Sequence, residues 1–286
     1  MPELPEVETV VRTLGPLVIG RVLGRAEVLC PKILRQTPAA GLAELAGRRV
    51  RSVRRRGKMI LIDCGDLGLV FHLKMTGQIL VVPAEAPRDK HTHLVIGLHD
   101  GVPRRRVAGA DAAAADELRF HDVRKFGFCR ICPSGELASA PEIAALGPEP
   151  LEIGLEEFRA RLSRRRGRIK SLLLDQAVIA GIGNIYTDEI LFGAGIHPLT
   201  PVERIRRPRI EALFMEMRAV LERAIDAKGT SISDYVDAQG SPGGFQNLLR
   251  VYGREGEPCI PCGTAIRRIV IGGRSSSFCP KCQRQR

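Results

Sequence analysis

Met1-Pro2-Glu3-Leu4-Pro5-Glu6 opens the chain, and clipping the initiator before the small Pro2 leaves a secondary amine as the free N-terminus. A generic α-amino group has a pKa of ~7.7–8.0 against ~10.4 for lysine, so its neutral fraction at pH 7 is larger by roughly two to three orders of magnitude. That neutral form attacks carbonyls and sugar C1′ carbons. Glu3 and Glu6 stand beside it for proton traffic. The same stretch also reads as an ordinary helix start. Pro5 sits at a first helical position with Glu6 and Glu8 in the first turn, and Val7, Val10, Val11 and Leu14 follow at i, i+3, i+4, i+7 spacing. A helix start accounts for Pro5, Glu6 and Glu8 and gives no role to Pro2-Glu3.

A second group of chemical residues closes the chain. Cys259-x2-Cys262, sixteen intervening residues (263 to 278) and Cys279-x2-Cys282 match the spacing of a tetrathiolate zinc site. Four thiolates leave no open coordination position, so one Zn2+ there is structural. Ile266–Ile271 and Ser275–Phe278 are expected to form a β-hairpin between the two knuckles, with Arg274 at its turn. Cys129-x2-Cys132 looks like half of another site, but it lies in a strand-like run with no second pair nearby, and packing is the better account. Cys30 and Cys64 read as small buried hydrophobes.

Three further motifs leave alternatives open. Gly181-Ile182-Gly183-Asn184 separates two expected helices; it is either a plain glycine turn or a phosphate site at a helix N-terminus capped by Asn184. His72-Leu73-Lys74-Met75-Thr76-Gly77 and Asp122-Val123-Arg124-Lys125-Phe126-Gly127 each put a long side chain beside a strand end. Met75 and Phe126 would ordinarily be core, yet apolar wedges and an arginine are also how a duplex is opened when a base is flipped.

Composition narrows the partner. Lys+Arg 44 against Asp+Glu 32 gives +12 over 286 residues, which favours a polyanion, most simply nucleic acid. The charge is clustered, at Arg48-Arg49, Arg51, Arg54-Arg55-Arg56 with Lys58, and at Arg164-Arg165-Arg166 with Arg168 and Lys170. No apolar leader and no membrane-length apolar run is present, so a cytosolic, reducing location is expected.

The elements that must position these residues fall in two textures. From Val50 to Cys132 short β-rich runs recur about every ten residues: Met59–Ile62, Leu69–Leu73, Ile79–Val82, His93–Leu98, Leu118–His121 and Phe126–Ile131. This spacing argues a sandwich or barrel, with residues 102–117 as a long exposed loop. A Pro/Gly/Ser-rich linker at 133–150 follows. The period then shifts towards 3.6, with helices over Leu155–Leu162, Ile169–Val178, Ile185–Phe192 and one entered through Pro208. Strands first and helices second make the fold class α+β, with domains at 1–132, 151–255 and a small unit at 256–286.

Taken together, Met1–Glu8, Lys58 after its basic run, His72–Gly77, Asp122–Gly127, Gly181–Tyr186, Val251–Cys259 and the four terminal cysteines resemble the bacterial formamidopyrimidine-DNA glycosylase family nearly end to end. The resemblance implies an N-terminal β-sandwich with a catalytic N-terminal helix, a helix-two-turns-helix DNA-binding domain and a zinc-ribbon hairpin. It implies a bifunctional glycosylase and abasic lyase of base excision repair, acting as a monomer at the nucleoid on double-stranded DNA carrying oxidised purines or abasic sites. Carried over by residue, Pro2 is the Schiff-base nucleophile, Glu3 the general acid, Glu6 its support and Lys58 a contact to the lesion phosphate. His72, Met75, Arg124, Phe126, Asn184 and Arg274 are implied to bind DNA; Met75, Arg124 and Phe126 fill the void left by the flipped nucleotide, and Asn184 and Arg274 grip phosphates.

Three features depart from the family pattern: the 102–117 insertion, Asp122-Val123 in place of Asp-Pro, and Gly243-Gly244-Phe245 without the usual tyrosine, which bears on lesion preference. Two alternatives stand beside this reading. An endonuclease VIII-like enzyme for oxidised pyrimidines shares the fold and the Pro-Glu start. A non-catalytic zinc-hairpin DNA-binding protein would need only the charge and the cysteines.

Overall fold

The computed structural model describes residues 1–36, 39–101 and 114–285. Most of the 102–117 segment therefore lies outside the described residues; its last two, Asp116 and Glu117, already belong to a strand. The chain divides into two compact units, residues 1–144 with 230–243, and residues 145–229 with 244–286.

The first unit begins with helix α1 (Leu4–Val18), whose Leu4, Val7, Val10, Leu14 and Val18 are all buried. The apolar stripe expected from spacing is thus the face that packs. Two four-stranded antiparallel sheets follow. One has the order β1-β6-β7-β5, built from β1 (Val22–Val28), β5 (Gly77–Pro83), β6 (Thr92–His99) and β7 (Asp116–Asp122). The other has the order β2-β3-β4-β8, from β2 (Ser52–Arg56), β3 (Met59–Asp63), β4 (Leu67–His72) and β8 (Phe128–Pro133). Their facing side chains share one core with α1, in which Leu94, Ile96, Leu98, Leu118 and Phe120 meet Ile60, Ile62, Leu69 and Phe71. The six expected strands are present, and β1, β2 and the short helix α2 (Ala39–Ala43) are additional. Phe126 is not in a strand, because β8 starts only at Phe128.

The expected linker is ordered at its start. A 3-10 turn at Ser134–Ser139 and helix α3 (Pro141–Ala144) bury Leu137, Ala140 and Ile143 against Met59, Leu61, Val70 and Phe128. In the second unit, α4 (Leu155–Ser163), α5 (Ile169–Leu174), α6 (Asn184–Gly193) and α7 (Arg207–Asp226) build a helical core around Tyr186, Leu213, Met217 and Leu221. Helix α5 stops four residues short of the expected Val178. The Asp175 carboxylate accepts the Ala177 N–H at 2.9 Å, an Asx turn that competes with the helix. Strands β9 (Arg267–Ile271) and β10 (Arg274–Phe278) form the terminal hairpin.

Candidate active site and metal centre

Pro2 and Glu3 are buried at the head of α1. Glu3 is the N-cap, and Glu3 and Glu6 close a reciprocal capping box in which Glu6 Oε2 accepts the Glu3 N–H at 2.8 Å. The other oxygen of Glu6 accepts the Thr230 N–H at 2.7 Å. Pro2 and the two carboxylates are thus brought together by one helix terminus. Met1 acylates the proline nitrogen in the full chain, so a free amine needs its removal.

Lys58 lies in the two-residue turn between β2 and β3 and is buried. His72 ends β4 and is buried as well. Its Nδ1 accepts the Lys74 N–H at 2.9 Å, which leaves the proton on Nε2. Burial, with the positive charges of Lys74, Lys58 and Arg35 adding to it, pushes the imidazole down to about 3. It is neutral at physiological pH.

The two turns that carry Met75 and Phe126 share a design. In each a lysine with left-handed backbone, Lys74 (φ 54) and Lys125 (φ 57), comes immediately before the apolar residue. Such strained positions in non-glycine residues cluster at functional sites. Gly77 closes the first turn, and a Cβ there would lie 2.4 Å from the Leu73 carbonyl oxygen. Asp122 holds the second, accepting Gly127 N–H at 2.7 Å and Arg124 N–H at 3.1 Å, and it also takes the Thr76 hydroxyl, which ties the two turns together. Met75 and Phe126 consequently stand out at 39% and 52% exposure, and the Arg124 guanidinium lies 4.7 Å from the Phe126 ring centre.

Beside them opens a cavity of ≈ 690 Å³ whose lining includes Met75, Phe126, Lys32, Arg35, Lys74 and Lys125 and no carboxylate. Arg35 is stacked 3.9 Å over the Phe128 ring. Lys32 and Arg35 carry no motif, and only their place at the cavity reveals them. The surface suits a polyanion with planar bases.

In the second unit Asn184 is the first residue of α6, and Gly183 occupies the N-cap position. The expectation that Asn184 caps the helix is corrected: its side-chain oxygen has no partner among the described residues. Arg274 is exposed and follows the Gly272-Gly273 turn, where both glycines have positive φ (55 and 77) as a tight hairpin requires. The hairpin is fastened by a buried pair: Lys170 Nζ lies 2.7 Å from Asp188 Oδ1 and donates to the Ser275 carbonyl at 2.8 Å. Asp188 also accepts Ser276 Oγ and the Ser277 N–H at 2.9 and 2.8 Å.

Cys259, Cys262, Cys279 and Cys282 bring their sulfurs within 4.8 Å of one another, with Cys259 to Cys282 at 3.9 Å and Cys262 to Cys279 at 3.5 Å. A tetrahedral zinc with bonds of about 2.3 Å separates its sulfurs by about 3.8 Å, so the four residues fit the ion. The site is closed and structural. Cys129 is buried in β8 with its thiol pushed up by burial, and packing accounts for it. Cys64 is buried as expected, whereas Cys30 is only half-buried.

Comparison with known proteins matches the chain in three consecutive stretches. The chain matches the model of the formamidopyrimidine-DNA glycosylase N-terminal domain over residues 1–129, that of the H2TH domain over 146–236, and that of the zinc finger found in FPG and IleRS over 256–285. Formamidopyrimidine-DNA glycosylase of Solibacter usitatus is 48% identical over the whole of both chains. That of Bacillus subtilis is 41% identical over 99% of each. The structure is similar to Lactococcus lactis Fpg in complex with DNA containing an abasic site, at TM-score 0.88 and 35% identity, covering 99% of this chain and 100% of the other. It is equally similar to the wild-type Lactococcus lactis protein bound to DNA containing N7-benzyl-Fapy-dG, at TM-score 0.88, 35% identity and the same coverage. A buried Pro-Glu helix start, two turns that present Met75 and Phe126, and a four-cysteine hairpin thus stand in one chain matched end to end, which belongs to the formamidopyrimidine-DNA glycosylase family.

Proposed function

We propose that the chain is a bifunctional DNA glycosylase and abasic-site lyase that removes oxidised purines, such as 8-oxoguanine and formamidopyrimidines, from double-stranded DNA, working as a monomer. The observation that carries the reading is Pro2 and Glu3 buried together at the head of α1, with Glu3 held by Glu6.

After loss of Met1, the Pro2 amine attacks C1′ of the damaged nucleoside and the bond from C1′ to the base breaks, its electron pair leaving on the base. Glu3 supplies the proton that neutralises the departing base or opens the sugar ring at O4′. The Pro2 nitrogen then gives up its N–H proton, the C1′–O4′ bond breaks with its electron pair leaving on O4′, which takes up a proton, and the nitrogen lone pair completes a permanently cationic iminium, an electron sink that acidifies the C2′ proton. Loss of that proton expels the 3′ phosphate, a second elimination expels the 5′ phosphate, and water releases Pro2. Lys58 and neutral His72 face the lesion strand, and Lys58 carries the cationic contact to its phosphate. Met75, Arg124 and Phe126 fill the stack where the nucleotide leaves. Asn184 and Arg274 hold flanking phosphates. Zinc supplies only the fold of the hairpin that carries Arg274. The functional division into residues 1–132, 151–255 and 256–286 belongs to the same proposal, as does action in the cytoplasm at the nucleoid; among the described residues no helix is long and apolar enough to cross a membrane.

Glu3→Gln tests the assignment, because an amide cannot donate the proton. Excision of 8-oxoguanine is expected to fall by at least ~10²-fold, the low end of general acid-base contributions. Borohydride trapping on preformed abasic DNA is expected to persist. An uncleaved N-terminal extension should abolish both, and trapping retained with that extension would move the nucleophile to a lysine.

A further inference from the structure

Thr230–Gly243 belongs to the first unit although the chain on either side of it belongs to the second. The segment is closed on itself. Ser231 Oγ donates to the Tyr235 carbonyl at 2.8 Å and accepts the Gly243 N–H at 2.9 Å. The buried Asp237 carboxylate gathers the N–H groups of Gln239 and Ser241, both at 2.9 Å. This is a compact Ω-loop.

Its contacts converge on the helix that carries Glu3. The Tyr235 hydroxyl donates to the Glu6 carbonyl at 3.2 Å, and the Ala238 N–H donates to Thr13 Oγ1 at 3.2 Å. Tyr235 and Ala238 also lie in the core of the sandwich. Glu6 Oε1 accepts the Thr230 N–H while Glu6 Oε2 accepts the Glu3 N–H, so one buried carboxylate bridges the loop to the residue beside Pro2. A charged acceptor with both oxygens engaged holds a single rotamer; one engaged oxygen leaves it free to swing.

We infer that this loop is a positioning element for the general acid, with Tyr235 and Thr230 as positioning residues that act on Glu3 through Glu6. The inference rests on the reading of Pro2 and Glu3 as the reacting groups.

Tyr235→Phe in the full-length protein keeps the ring in the core and removes the hydroxyl. Single-turnover excision of 8-oxoguanine is expected to slow about 5-fold, the order of one net hydrogen bond, at an unchanged half-saturating protein concentration. Trapping on preformed abasic DNA should be unchanged. In a Glu3→Gln background the same substitution should slow the residual excision by less than about 1.5-fold, because its route of action is already cut. Losses that multiply in the double variant, equal losses of excision and trapping, or excision at the parent rate would each overturn the inference. Ser231→Ala, which opens the loop clasp without touching the core, is expected to repeat the pattern and decides the matter if Tyr235→Phe melts early. Normal excision by Glu3→Gln alone would instead strike at the underlying acid assignment.

Discussion

His72→Asn should flatten the pH dependence of stability in the β-sandwich. The imidazole is buried, and burial together with Lys74, Lys58 and Arg35 pushes it down to about 3 from 6.5. The unfolded chain takes up this proton near 6.5 and the native chain does not, so the unfolded state binds more protons as the pH falls. Its contribution is fully present above about pH 6.5 and is lost progressively as the pH falls towards 3. The full window is worth roughly 5 kcal/mol, and the part between pH 7 and pH 5 about 2 kcal/mol. Asp63 and Glu8 are held below the ordinary range, so their protonation enters at lower pH, while Asp188, pushed up by burial to about 6, titrates inside the window in parent and variant alike and cancels. Asparagine offers an oxygen where Nδ1 accepts the Lys74 N–H, and it does not titrate. Equilibrium urea unfolding, followed by a short deuterium pulse on peptides of β3 and β4, measures parent and variant at each pH. His197, also pushed down by burial, is common to both proteins and cancels. The parent should lose about 2 kcal/mol more than the variant between pH 7 and pH 5. A gap between the two proteins that stays constant with pH would refute the buried neutral imidazole.

Three other outcomes are expected. Chelating the zinc should abolish tight binding to lesion DNA while far-ultraviolet circular dichroism keeps the sandwich signal, since ~10–16 kcal/mol of apparent metal binding orders a hairpin with almost no core of its own. Lys170→Met should leave Asp188 buried without its cation and cost about 3–5 kcal/mol, read as a lower melting temperature and faster loss of zinc to a chelator. Replacing residues 102–113 by a short turn should leave excision within a few-fold of the parent, measured on 8-oxoguanine duplexes, because no proposed site residue lies in that segment.

The β-rich runs between regular breaks and the cysteine knuckles were legible because each is set by its own residues. What escaped was set from a distance. β1 contains Gly24 and a bulge between Leu23 and Ala26, and a Cβ at residue 24 would lie 2.5 Å from the His99 ring, so pairing with β6 decides it. β2 is Ser-Val-Arg-Arg-Arg and reads as a charge cluster; all five residues pair with the strongly apolar β3, and Arg55 is anchored on Glu8 at 2.9 Å. The return of Thr230–Gly243 to the first unit rests on bonds to Glu6 and Thr13, more than 220 residues away in sequence.

The candidate site shows the same division more sharply. Residue types pointed to Pro2 and Glu3 but left Met75 and Phe126 open between core and wedge, and nothing in either run of residues calls by itself for left-handed backbone at Lys74 and Lys125. Asp122 does, by fixing the N–H groups of Arg124 and Gly127 and the hydroxyl of Thr76 at once. That clasp also bears on Val123, where the resemblance to the family implies proline. Proline would restrict the unfolded chain, an effect of about 0.4–1 kcal/mol, whereas the native turn is imposed by a buried carboxylate with three donors. Val123 is left 47% exposed on the outside of the turn, so the departure changes the cost of forming the turn and leaves Arg124 and Phe126 presented as Asp122 dictates.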